Sequence, residues 1–219
     1  MQYLTEELYK KMQMFQLPLE DGQSLSELAD WGIDLNDFLE QELLARDEWY
    51  MKYTPKRLKD LLFDTTGELI FDGLTEEMLA LIKNFREQIE DEWAEALAWV
   101  EAAKAQAALA ASPDMQHFLA IDFQDGEIRY VEGIDTKEVQ MDVLIGWDSS
   151  ELVQLTFQGV RESWMGRMHP DDANWWLYDE VSVNEQGRYV LQVLFGNADY
   201  VGQLQLTFED VQVQRLKLD

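Results

Sequence analysis

From Glu76 to Ala111 the chain contains neither proline nor glycine, and directly after it the spacing of apolar residues changes from three-and-four to two. That junction limits the fold more than any other feature. Met78, Ile82, Phe85, Ile89, Trp93, Ala96, Val100, Ala103 and Ala107 fall on one side of a helix. Drawn as one element, the stretch is ~54 Å long at 1.5 Å per residue. A compact domain of about 100 residues has a radius of gyration of only ~13 Å. The helix must therefore bend, break or extend beside the rest of the chain. Thr75 stands where an N-cap is expected, and Ser112-Pro113-Asp114 reads as the stop.

Beyond Pro113 the pattern is that of strands. Phe118 to Ile121 leads into Gln124-Asp125-Gly126, a hairpin-turn signal. Val139, Met141, Val143 and Ile145 alternate with polar residues, as do Val153, Leu155 and Phe157. Trp176, Tyr178 and Val181 mark a later strand, Tyr189 to Phe195 another, and Leu204 to Phe208 and Val211 to Val213 the last ones. No βαβ alternation occurs, which disfavours a parallel nucleotide-binding sheet. The expectation is an α+β protein: a helical part, residues 1–112, packed against a mainly antiparallel sheet of about seven strands, residues 113–219.

Ahead of the long helix, Thr5 caps a first one, with Tyr9, Met12 and Phe15 on its apolar side. Ser24 and Glu27 have capping-box spacing, and Gly32 ends the short helix they start. Asp34 caps a helix predicted to run to about Tyr53, Thr54-Pro55 restarts one with Pro at its first position, and Asp64-Thr65-Thr66-Gly67 is a turn.

Composition excludes several functions. Cysteine is absent, so disulfides, thiolate metal sites and thiol catalysis are impossible. Apolar residues make up 47% of the chain, enough for a real core. No secretory signal and no run of ~18 apolar residues appears, so the expected location is the cytoplasm, with no membrane. Forty-four acids against seventeen Lys and Arg give a net charge of −27, and acids outnumber bases on both sides of Pro113. Such a field repels nucleic acid and attracts a basic protein.

Chemical motifs are scarce. G-x-G-x-x-G, G-x-x-x-x-G-K-[ST] and G-x-S-x-G are missing, so no nucleotide cofactor or nucleophile elbow is expected. The only histidines are His117, read as a structural residue at a strand start, and His169. His169, Asp171 and Asp172 put one imidazole and two carboxylates in one loop, an alternative site for a divalent cation or carboxylate chemistry; ordinary turn chemistry accounts for the same residues. With so many acids, adjacent pairs such as Asp179-Glu180 carry no information. Glu87, Asp91 and Glu95 stand at i, i+4 and i+8 on the long helix, and only Lys83 and Arg86 relieve their upstream end. They form either a docking stripe for a cationic partner or a solvated face. Trp175 and Trp176 point to opposite sides of their strand, one to the core and the other to a packing or contact surface.

The opening Met1-Gln2-Tyr3-Leu4-Thr5-Glu6-Glu7-Leu8-Tyr9-Lys10 resembles the start of a bacterial family described only as a domain of unknown function. So do Trp175-Trp176-Leu177-Tyr178-Asp179-Glu180-Val181, the later Leu194-Phe195, and the strand from Leu204 to Phe208. The resemblance implies a bacterial cytosolic protein and carries over no functional residue. The functional expectation is a non-catalytic acidic protein that binds a basic protein, in one form an immunity-type inhibitor of a basic toxin.

Overall fold

In a computed structural model, residues 2–17, 34–145, 151–166, 168, 173–197 and 200–217 are described. The short helix expected between Ser24 and Gly32 lies outside them. The chain is α+β and divides into two compact units: Glu7–Ala94, and Met1–Glu6 together with Glu95–Asp219. Compactness thus groups the last turns of the long helix and the first six residues with the sheet, whereas the change of period at Pro113 marks only where strands begin to be encoded.

The first unit is helical. It holds α1 (Glu6–Gln13) from Glu7 onward, α2 (Leu35–Ala45), α3 (Asp47–Tyr53), α4 (Lys56–Leu62) and the start of α5 (Glu76–Ala108). Asp34 caps α2 by accepting from the N–H groups of Asn36 (2.9 Å) and Asp37 (3.3 Å). The single helix expected up to Tyr53 is two, parted at Arg46, whose backbone leaves the helical region (φ −136°, ψ 36°). There the Arg46 guanidinium donates to the Gln13 carbonyl (3.2 Å) and pairs with Glu42 (3.0 Å). Pro55 caps α4 from just outside rather than from its first turn. Asp64 ties its turn by accepting from Thr66 N–H (2.7 Å) and Glu68 N–H (3.0 Å). Thr75 Oγ1 accepts from Met78 N–H (3.1 Å) and caps α5.

Phe15 centres the core of this unit. Its ring meets Tyr50 edge-on at 4.7 Å and Phe85 at 5.7 Å. Leu39, Leu43, Leu58, Leu62 and Ile82 are buried as well. Arg86 donates to the Met12 (2.8 Å) and Met14 (3.3 Å) carbonyls at the end of α1, and also pairs with Glu90 (2.8 Å).

The second unit contains the rest of α5, a short α6 (Pro113–Leu119) and eight strands: β1 (Glu127–Glu132), β2 (Glu138–Ile145), β3 (Glu151–Gln158), β4 (Glu162–Met165), β5 (Trp175–Val183), β6 (Tyr189–Gly196), β7 (Val201–Phe208) and β8 (Asp210–Lys217). Every pairing is antiparallel, in the order β4-β7-β6-β5-β1-β2-β3-β8. Only Gly159, Val160 and Arg161 separate β3 from β4, and only Glu209 separates β7 from β8. Glu209 N–H donates to the Gln158 carbonyl and Arg161 N–H to the Thr207 carbonyl, each at 2.9 Å, so the β3/β8 and β4/β7 ladders are one ladder turning a corner. The two ends of the sheet therefore share the same two stretches of chain, and the sheet rolls back on itself. Gly159 occupies the corner at φ 64°, where a Cβ would stand 2.8 Å from the Glu209 carboxylate.

The rolled sheet encloses one core. Val139, Met141, Val143, Val153, Leu155 and Phe157 supply one side; Trp176, Val181, Leu191, Val193, Phe195, Leu204, Leu206 and Phe208 supply the other. The alternation read in these strands is thus the alternation of core and outer face. Residues 117–119 are not a strand start. Ser112 caps α6 by accepting from Met115 N–H (3.0 Å), with Pro113 at the first helical position, and α6 inserts Met115, Phe118 and Leu119 into the core. His117 is therefore an exposed helical residue. The Asp125-Gly126 turn joins α6 to β1 rather than two strands.

Candidate functional site

Glu87 and Asp91 belong to the helical unit and Glu95 opens the sheet unit, and all three are exposed positions of α5. Among the described residues none of them has an ion-pair partner. Arg86 is committed to Glu90 and to the end of α1. One turn after Glu95, Trp99 is 54% exposed, its ring stacked on Tyr3 at 6.0 Å. The sequence gives no sign of Trp99, because it lies off the apolar face of the long helix.

The tryptophan pair divides as the strand geometry requires. Trp175, opposite Gly196 on β6, is 38% exposed; Trp176 is fully buried against Phe123, with ring centroids 4.7 Å apart. Trp176 is thus a core residue and not part of a contact surface. His169, Asp171 and Asp172 lie outside the described residues. Among the described residues no group of three His, Asp or Glu side chains is placed to hold a metal ion.

One carboxylate stands out for a reason invisible in the sequence. A bulge at Leu177 shifts the phase of β5, so that Trp176, Asp179 and Val181 face Phe195, Val193 and Leu191, all core residues. Asp179 is thereby turned toward the core and only half-buried, and the Trp176 indole N–H donates to its Oδ1 at 2.9 Å. Burial pushes the Asp179 carboxyl above the usual carboxylate range. The Trp176 bond and the Lys104 charge pull the other way, while Asp122 and Glu101 add to the rise. Next to it, burial also raises the Tyr178 hydroxyl, helped by the Asp125 charge and opposed by a hydrogen bond with Gln124. The arrangement holds a proton to higher pH than an exposed carboxylate does, and it does so without a metal-binding cluster among the described residues around it.

These features define the class: an α+β protein with a helical unit, a rolled antiparallel sheet unit and a net charge of −27. The chain belongs to the family described as "Protein of unknown function (DUF4085)", whose model matches residues 3–212. No curated protein and no solved structure matches it. No helix among the described residues is long and apolar enough to cross a membrane.

Proposed function

We propose that this protein is a non-catalytic interaction protein that binds a basic protein. The observation that carries the reading is the solvent-facing set Glu87, Asp91 and Glu95, without ion-pair partners among the described residues, in a chain of net charge −27. Carboxylates left uncompensated on a helix repel one another at a cost of ~0.2–0.5 kcal/mol per neighbouring pair. A cationic partner removes that cost and is drawn in by the long-range field. Trp99, one turn beyond Glu95, offers an aromatic ring for burial once the partner arrives, and Trp175 offers a second on the sheet. Neutralisation of a basic toxin is one concrete form of this function.

The test is retention of a basic protein from the native cell on the immobilised chain, at low and high salt. The expected result is a basic protein held at low salt, released at high salt, and lost from a chain carrying Asp91→Lys and Glu95→Lys. A column that holds no basic protein at low salt defeats the reading.

A further inference from the structure

The helical unit is an insertion: Glu7–Ala94 is threaded between residue 6 and residue 95 of the sheet unit. The entry strap, residues 2–4, is gripped by one side chain of β5. Glu180 is paired with Gln192 and points away from the core row of Asp179 and Val181. Its carboxylate accepts from three successive backbone N–H groups: Gln2 on Oε2 (2.9 Å), Tyr3 on Oε1 (2.8 Å) and Leu4, also on Oε1. Glu180 is only 6% exposed and Leu4 only 1%. A charge buried this far needs several donors, and consecutive backbone N–H groups supply them as an anion-binding nest does. Tyr3 then stacks on Trp99, which joins the strap to the first turns after the insertion. Both ends of the inserted segment are thus gathered at one place within the sheet unit.

We propose that Glu180 is the bolt of a releasable clasp that fastens the N-terminal strap. Among the described residues, residues 2–4 are held by three hydrogen bonds to Glu180, the buried Leu4 and the Tyr3–Trp99 stack, against eight laddered strands holding the sheet. Its opening is therefore a local event, separate from unfolding of the sheet. When the clasp is open, the Trp99 ring loses the Tyr3 ring stacked on it. The chemistry of the bolt is specific. Both oxygens of Glu180 face donors: a glutamine there can keep one oxygen for Tyr3 and Leu4 while turning an N–H toward that of Gln2, whereas an alanine removes all three bonds.

Amide hydrogen exchange of the full chain tests this. Tyr3 and Leu4 amides are expected to exchange about 100-fold or more slower than in an unstructured peptide of the same sequence, through an opening with weaker urea dependence than that of Leu191 and Val193 in β6. In Glu180→Ala these two amides are expected within about threefold of the peptide rate while Leu191 and Val193 keep their protection. The proposal is overturned by peptide-like exchange of the strap in the parent chain, by a strap that stays protected in Glu180→Ala, or by strap and strand amides opening together in either protein.

Discussion

Asp179 and Phe15 are the two residues whose surroundings say most about how this chain is built. Phe15 adopts a left-handed backbone (φ 53°), unusual for so bulky a side chain. It is kept there by its ring contacts and by its N–H, which donates to the Tyr50 hydroxyl at 3.0 Å. Burial in turn pushes that hydroxyl up to about 12. Asp179 yields a prediction with a definite sign. Its carboxyl holds its proton to higher pH folded than unfolded, so its contribution to stability is complete below the unfolded value of ~3.9 and is lost as pH rises through the folded one. Asparagine keeps the oxygen that accepts from Trp176 and cannot ionise. Asp179→Asn should therefore be more stable than the parent at neutral pH, with the gap closing as pH falls toward about 4. Urea melts across a pH series measure this; a gap independent of pH would show that desolvation of the charge is not its cause. None of this is legible from the letters Asp179-Glu180. The bulge at Leu177 and the strap on Glu180 give two adjacent acids opposite surroundings.

Elements whose ends are decided locally are legible in the sequence. Asp34 and Thr75 cap the helices they are expected to cap, because a cap is made by a side chain reaching two or three residues along its own chain. Ser112 shows the limit of such reading. Ser-Pro-Asp reads as the end of α5 followed by a strand, but the same three residues cap and start α6, since Pro is as suitable at a first helical position as it is unsuitable inside a helix. Ser112 Oγ also donates to Asp210 at 2.7 Å, tying α6 to the first residue of β8. Ser112→Ala removes both bonds. It should lower stability by about 1–2 kcal/mol in chemical denaturation, within the upper range for a lost cap. A change below about 0.3 kcal/mol would mean that neither bond matters to the fold. The break at Arg46 has no local signal, since the guanidinium there answers to Gln13, thirty-three residues away.

Across the whole molecule, net charge is the feature with the longest reach. A net charge of −27 spread over both units makes the compact state repel itself. Added salt screens that repulsion, with a Debye length falling from ~30 Å at 0.01 M to ~8 Å at 0.15 M. The melting temperature should therefore rise over that range. A melting temperature that stays flat or falls would mean that the acids are balanced by neighbours. Fold class, the long helix and the inward rows of the strands were determined by the sequence alone, because helical and strand periods and the match of apolar residues to one face are properties of short stretches of chain. Tertiary structure decided the rest: the corner that rolls the sheet, the insertion of residues 7–94, the burial of Trp176 with its partner Asp179, and the grip of Glu180 on the strap. Each of these depends on residues far apart in the chain meeting in space, and no local pattern of residue types encodes which distant partner a given side chain will meet.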